Sequence, residues 1–380
     1  MKKEIGNDFA ELFGKADFAI KSPGRINLIG EHTDYNNGLV LPAAIDKHIK
    51  FFVNKSGDRV CRIYAHDIGE QLVFSLDDDY VLNQTGWKSY IVGMTELISQ
   101  IYPFEYGFNL VFGGNIPHGA GLSSSAALTC GFGYALINLF QLDISRHSLM
   151  FLAQKAEHEY AGVKCGIMDQ FAVVNGKKDH AIFLDCRDLS TELVPVNLGD
   201  YQLVLFNTGV KHSLASSEYN VRRTQCEDVV QTFRNKEMSS LREVSHKSLE
   251  GIKDKISAVN YGRAKFVLDE NERVIKAVES LKKNDLVSFG NALVNSHLGL
   301  SNEFEVSCNE LDFLMQKSVE HKGVLGARMM GGGFGGCTIN LIHKENLQEV
   351  ILDLEKSYLN DFNIKLETIP VNISDGLHIL

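Results

Sequence analysis

The run GGNIPHGAGLSSSAALTCGFGYALINLF, residues 113–140, constrains the fold of this chain more than any other stretch. A strand-like segment ends in glycines, the chain turns through Pro117, Gly119 and Gly121, and a helix opens straight after Leu122 through Ser123, Ser124 and Ser125. Strand, glycine loop and helix in that order make an anion site. The glycines let backbone N–H groups come close to a bound group, and the unpaired amides and positive dipole end of the helix favour phosphate. The serine hydroxyls can add to a phosphate or to a magnesium ion, while Ala126 and Ala127 leave room for close packing. A serine N-cap on an ordinary core helix is the alternative. The run lacks the GK[ST] ending of a Walker A loop, as does ELFGKAD near the start, so a P-loop NTPase is disfavoured. The glycine-rich loop, HRD and DFG pieces of a protein kinase are missing as well, and any phosphoryl transfer must use a third design.

A second stretch, SPGRINLIGEHTDYNNG at 22–38, crowds one arginine, a glutamate, a histidine, an aspartate, a tyrosine and several amides and hydroxyls into a glycine-bounded run. It offers donors and acceptors together with little charge imbalance, which suits a ligand bearing many hydroxyl groups, such as a sugar. A solvated surface loop, or a metal cluster of Glu31, His32 and Asp34, are the rival readings. The formal net charge of −10 leaves no surplus of cations to displace counterions from a nucleic acid, so small-molecule partners are expected and nucleic acid is not.

In GARMMGGGFGGCTINL, Gly331, Gly333 and Gly336 fall at GxGxxG spacing. A dinucleotide fingerprint follows the first strand and opens a helix, whereas these glycines sit between two strand-like segments late in the chain. The reading is a tight turn over 331–336, able to press against a substrate or the phosphate loop because backbone without side chains permits close approach.

With 380 residues the chain fits two domains with a cleft between them. Strand signals dominate the first half, at 17–22, 38–45, 49–54, 60–66, 71–76 and 106–114, interrupted by helices at 87–102, 123–140 and 145–162, with further strands at 180–186 and 201–208. From about Ser213 the periodicity turns helical, at 216–233, 260–281 and 283–300, and then alternates helix and strand to a closing strand at 365–373. The expected class is therefore α/β in the α+β sense, with mixed sheets and antiparallel pairing, divided into an N-terminal domain at 1–200 and a C-terminal domain at 201–380. The last strand is a candidate to pack back on the first domain. Seven scattered cysteines without a CxxC pair read as reduced core residues. No signal-peptide core and no membrane-length apolar run is visible, so a cytoplasmic protein is expected, by default a monomer.

Three motifs in this order, GRINLIGEHTDYNNG, IPHGAGLSSSAAL and GARMMGGGFGGCT, closely resemble the galactokinase branch of the GHMP kinases, the superfamily that also holds homoserine, mevalonate and phosphomevalonate kinases. AEHEYAGVKCGIMDQFA and HSLASSEYNVRRTQCE extend the match over nearly the whole chain. The resemblance implies a two-domain GHMP-kinase fold with the site in the interdomain cleft. ATP and magnesium would serve as cosubstrate and cofactor, and the γ-phosphoryl group would pass to the anomeric hydroxyl of α-D-galactose. It further implies that Asp169 is the base with Arg25 beside it, a plain cleft salt bridge being the alternative. Glu31, His32, Asp34 and Tyr219 would bind the sugar hydroxyls, and Ser125, or Ser124, would hold magnesium together with Glu157. The backbone of Gly119, Gly121 and Leu122 would lie along the triphosphate, and Trp87 and Tyr90 would stack on adenine unless they are simply core. A kinase for N-acetylgalactosamine or another sugar, and a non-catalytic galactose and ATP sensor, are the alternatives. Departures from the family pattern are His118, Ala120 and Lys211; Ala120 is expected to keep a negative φ, because alanine at positive φ costs on the order of 1 kcal/mol.

Overall fold

A computed structural model describes residues 4–78, 84–117, 119–210, 215–233 and 238–380, so His118 and Lys211 lie outside the described residues. In chain order the elements are α1 (Ile5–Phe13), β1 (Phe18–Asn27), β2 (Leu39–Val40), β3 (Pro42–Lys55), β4 (Val60–Ala65), β5 (Glu70–Ser75), α2 (Trp87–Ser99), β6 (Phe108–Gly114), α3 (Ser124–Phe140), α4 (Arg146–Tyr160), α5 (Met168–Asn175), β7 (His180–Asp185), β8 (Thr191–Pro195) and β9 (Tyr201–Asn207). They continue as α6 (Ala215–Gln231), α7 (His246–Glu250), α8 (Ala258–Lys282), α9 (Leu286–Asn302), α10 (Asn309–Glu320), β10 (Val324–Met329), β11 (Cys337–His343), α11 (Leu347–Phe362), β12 (Glu367–Val371) and β13 (His378–Ile379).

Among the described residues these strands form a six-stranded sheet in the order β13-β1-β3-β6-β4-β5, a four-stranded sheet β10-β11-β9-β12 and a three-stranded sheet β2-β7-β8. Pairing is antiparallel apart from β4 with β6, so the mixed character expected from the sequence is present. Helix α3 buries residues on every side, from Ala126 to Leu139, and has to lie inside a layer rather than on its surface. Its glycines make the fit: a Cβ at Gly131 would come within 2.3 Å of the Phe51 ring on β3, and one at Gly133 within 2.5 Å of Met94 on α2. The loop in front of α3 is thereby pinned against the first sheet.

One apolar core lies under the six-stranded sheet and is filled by α2, α3, α4 and α5. Another is shared between the halves of the chain, joining Ile26, Leu28, Leu39 and Ala120 to Val274, Leu293, Met330 and Ile339. The segments on either side of the cleft are therefore packed together through buried apolar side chains. Strand β12 pairs with β9, while β13 adds itself to β1 through Ile20 opposite Ile379. Five elements have no counterpart among the segments expected from the sequence: α1, α5, α7, β8 and β13. The eight-residue run MDQFAVVN of α5 is too short for periodicity to separate helix from strand.

Candidate active site in the cleft

Strand β1 carries the centre of the site. Its register with β3 shifts between Pro23, opposite His48, and Arg25, opposite Ala44, an irregularity that leaves Gly24 out of the ladder. Gly24 is required there, since a Cβ would come within 2.8 Å of the Leu122 carbonyl oxygen. The Arg25 amide donates to that same oxygen at 3.1 Å. Its guanidinium, 5% exposed, forks onto Asp169 in the first turn of α5, Nε to Oδ1 at 2.6 Å and Nη2 to Oδ2 at 2.8 Å. Nη1 donates to the Gly121 carbonyl oxygen at 2.6 Å. The hydroxyl of Ser123 donates to Asp169 Oδ2 as well. Base candidate, arginine and glycine loop thus form one hydrogen-bonded unit.

Arg25 and Asp169 stand in the wall of a cavity lined also by Glu31, His32, Asp34 and Tyr219, with Ser125, Glu157, Val163, Cys165, Met168 and Gly331 to Gly333 completing it. The expected sugar ligands are therefore brought together, but they are not alike. His32, at positive φ of 62°, has both ring nitrogens engaged: Nε2 lies 3.2 Å from the Gly332 carbonyl oxygen and Nδ1 2.8 Å from the Tyr35 hydroxyl. A carbonyl only accepts, so Nε2 carries the proton and Nδ1 accepts from Tyr35. Burial lowers the imidazole to about 3, and it is neutral at physiological pH. Its ring packs against Tyr219 and Phe304, with centroids 5.2 and 4.9 Å away. In this state His32 shapes the cavity more than it offers a free ligand atom.

Glu31, 1% exposed, is held by Arg328 Nη2 at 3.0 Å and the Gly331 amide at 2.8 Å on Oε1, and by Asn27 Nδ2 at 2.8 Å on Oε2. Arg328 on β10 is wholly buried and also donates to the Leu28 carbonyl at 2.8 Å, the Met329 carbonyl at 2.6 Å and the Asn27 carbonyl. From α8, Glu270 accepts from the Gly30 amide at 3.0 Å and Asn271 from the Leu39 amide at 2.7 Å. The second half of the chain thus builds the sugar-side loop of the first. Arg328, Glu270 and Asn271 escaped the sequence reading because their partners lie more than 200 positions away; a buried-type arginine inside an apolar strand was the available signal.

Asp34 is pushed up to about 7, first by burial and then by the negative charge of Asp169. Gly166 makes room for it, as a Cβ there would lie 2.0 Å from Asp34 Oδ2. A folded protein that keeps the Asp34 proton to about pH 7, against an ordinary value of 3.8, binds more protons than the unfolded chain between those values. The contribution of this group to stability therefore falls as pH rises through that window. Asp34→Asn is expected to be more stable than the parent protein by an increment that grows from pH 5 to pH 8, reaching on the order of a few kcal/mol. Urea unfolding of the ligand-free proteins at both pH values checks this, and an increment that does not change with pH would contradict it.

The glycine turn over 331–336 joins β10 to β11, as the spacing predicts, and it faces the phosphate loop. A Cβ on Gly331 would stand 3.5 Å from the Gly121 carbonyl oxygen, and one on Gly336 3.8 Å from that of Gly119. Gly119 and Gly121 have positive φ of 73° and 71°, while Ala120 is not among the positive-φ residues, as expected. A second cavity runs along this loop, lined by Gly119 to Ser125, Arg25 and Gly331. A third, more apolar one is lined by Trp87, Tyr90, Phe112, Ile116, Leu128, Ser124 and Ser125. Trp87 Nε1 donates to Glu70 Oε2 at 3.0 Å, which fixes the indole edge. Ser125 belongs to the walls of all three cavities and marks their junction.

Glu157 is 4% exposed, accepts from Gln170 Nε2 at 2.7 Å, and is raised to about 7 by burial and by Asp169, with the Ser125 hydroxyl opposing the shift. Burial pushes the Cys165 thiol well above its ordinary range, so it is no reactive thiolate. All seven cysteines are free. Among the described residues no three His, Cys, Asp or Glu side chains converge on a metal-sized point, which removes the cluster of Glu31, His32 and Asp34 as a metal site.

Comparison with known proteins agrees with this geometry. Residues 7–55 match the galactokinase galactose-binding signature, residues 89–177 the N-terminal domain of GHMP kinases and residues 277–360 the GHMP kinase C-terminal region. The chain is 41% identical over 358 residues to the galactokinase of Thermotoga maritima, covering 94% of this chain and 99% of that one. It is 40% identical over 378 residues to the galactokinase of Clostridium perfringens, covering 98% of each. Among solved structures it is similar to Lactococcus lactis galactokinase complexed with galactose, with a TM-score of 0.93 and 35% identity over 99% of both chains. A mevalonate kinase at 17% identity and a TM-score of 0.69 shares the fold. The chain belongs to the galactokinase family of the GHMP kinases.

Proposed function

We propose that the chain transfers the γ-phosphoryl group of ATP to the anomeric hydroxyl of α-D-galactose, giving galactose 1-phosphate and ADP. The observation that carries this reading is the place of the Arg25–Asp169 pair, shared between the cleft cavity and the glycine loop. A carboxylate offers about four acceptor sites. Arg25 Nε uses one on Oδ1, and Arg25 Nη2 and Ser123 use two on Oδ2, so one site on Oδ1 is left for a substrate hydroxyl. The ring oxygen makes the anomeric hydroxyl more acidic than an ordinary alcohol, within reach of a carboxylate base. In the proposed step Asp169 takes that proton, the C1 oxygen bonds to the γ-phosphorus, and the bond to the β,γ-bridging oxygen breaks with its electron pair leaving on ADP. Arg25 holds the carboxylate in place and lies close enough to the loop to offset charge on the transferring oxygens.

Magnesium fits the residues proposed for it. Ser125 and Glu157 supply hard oxygen donors beside the loop, and a buried carboxylate raised to about 7 is one that a divalent cation stabilises in its charged form. When bound, the ion would neutralise phosphate charge.

Polar groups buried in the sugar cavity favour a polyhydroxyl ligand, because a hydroxyl missing or inverted at a buried partner leaves that partner unpaired. An ADP-release assay over a panel of free sugars tests the proposal. Turnover should be highest with galactose; a higher rate with N-acetylgalactosamine, or no ADP release with any sugar, would point to the other kinase or to a sensor.

Trp87 is the only tryptophan of the chain, which makes its fluorescence a reporter of the adenine slot. ATP is expected to quench it and galactose alone to leave it nearly unchanged. Trp87→Ala should raise the ATP KM about 10-fold with little change in kcat, the size of a lost base-aromatic stack. An unaltered ATP KM in that variant would return Trp87 and Tyr90 to the core.

A further inference from the structure

We propose that Ser123 is a positioning residue that orients Asp169 and couples it to the phosphate loop, and that its hydroxyl is not a phosphate ligand. The inference rests on the reading of Asp169 as the base.

Ser123 occupies the N-cap position of α3, where a serine side chain ordinarily accepts from an amide in the first turn. Ser145, Ser245 and Ser257 do this at the starts of α4, α7 and α8. The Ser123 side chain makes no capping bond; the residue sits in the left-handed region at φ 54°, ψ 51°, and its hydroxyl turns to Asp169 Oδ2. Two local preferences of a serine are thus given up at once, the cap and the ordinary backbone region. Departures of this kind persist where surrounding structure enforces them. Here the enforcement is visible: Arg25 binds the carbonyls of Gly121 and Leu122, the two residues before Ser123.

The consequence is twofold. The first amides of α3, left uncapped by the side chain, remain available to an anion at the loop. At the same time the carboxylate is gripped from both sides, by Arg25 on β1 and by Ser123 on the loop, so its rotation is fixed by the element that would carry the phosphates. A loop in the wrong conformation would leave Asp169 with one anchor.

Kinetics of Ser123→Ala and Ser123→Gly test this. Both remove the hydroxyl, and glycine tolerates the left-handed backbone that alanine resists. The expected result is a fall in kcat of about 10- to 100-fold in both, the effect of one lost hydrogen bond to an ionised group. The ATP KM and the ATP affinity read from Trp87 fluorescence should stay within roughly twofold of the parent values. Weakening of ATP binding in step with kcat would restore Ser123 to the phosphate ligands and overturn the proposal. So would full recovery of kcat in the glycine variant, which would trace the effect to backbone, or an unchanged kcat in both. Asp169→Asn assayed alongside separates the two readings: near-parental kcat there would reject the base itself, whereas an inactive Asp169→Asn with fully active Ser123 variants would reject only the role given to Ser123.

Discussion

Asp169→Asn is expected to lower kcat by about 10³-fold while the protein stays folded and still binds galactose. The asparagine keeps the shape and one acceptor oxygen, so the Arg25 fork loses one of its two carboxylate oxygens and the buried guanidinium is left with the Gly121 carbonyl and a weaker partner. What disappears is the remaining site on Oδ1 as a proton acceptor. Arg25 and Ser123 sit on the same unit, so their variants are not expected to add independently to this loss. Steady-state rates with galactose and ATP, and calorimetric titration of galactose into the variant, separate turnover from binding. A kcat within tenfold of the parent would mean that positioning and charge alone drive the transfer.

Arg328→Met should have the largest effect on stability. Its guanidinium has no exposure and ends on Glu31 and on the carbonyls of Asn27, Leu28 and Met329. Methionine would fill part of the volume and satisfy none of these acceptors, and Glu31 would become a buried charge without its cation. Breaking a buried ion pair from one side typically destabilises by about 3–5 kcal/mol. Because Arg328 shapes the loop from Asn27 to Glu31, the galactose KM should rise at least 10-fold with the ATP KM little changed. Combining Arg328→Met with Glu31→Gln removes the stranded charge and should recover part of the stability without recovering sugar binding. Urea unfolding and sugar kinetics of the single and double variants check both points; a loss below about 1 kcal/mol with an unchanged galactose KM would reduce Arg328 to ordinary core packing.

The sequence made the chemistry legible where it is local. A glycine loop running into a serine-rich helix start, a glycine turn between two strands and a glycine-bounded polar run all announce themselves within twenty residues, because backbone conformation there depends on neighbours in the chain. The site residues carried over from the family pattern lie around the cavities and the loop. Partnership was not legible. Ser123 reads as a phosphate serine by type, and only the fold reveals that Asp169, 46 positions on, takes its hydroxyl. His32 reads as a sugar ligand, yet Tyr35 and Gly332 occupy both its nitrogens. The helical and strand periods of most long elements were readable from their apolar spacing, whereas α3, buried on every side, carries no such stripe. The short α5, which holds Asp169 in place, was not readable, since eight residues carry too little periodicity. The change from strand-rich to helix-rich pattern near residue 200 was legible too, but not the apolar core that crosses it.

The most direct measurement is a crystal structure with galactose and a non-hydrolysable ATP analogue bound together. The C1 oxygen of the sugar should lie about 2.6–3.2 Å from an oxygen of Asp169, and the γ-phosphorus about 3–3.5 Å beyond it, with the triphosphate along Gly119 to Ser125 and adenine beside Trp87. A sugar presenting a different hydroxyl to Asp169, or a nucleotide whose γ-phosphate points away from Arg25, would contradict the proposed transfer.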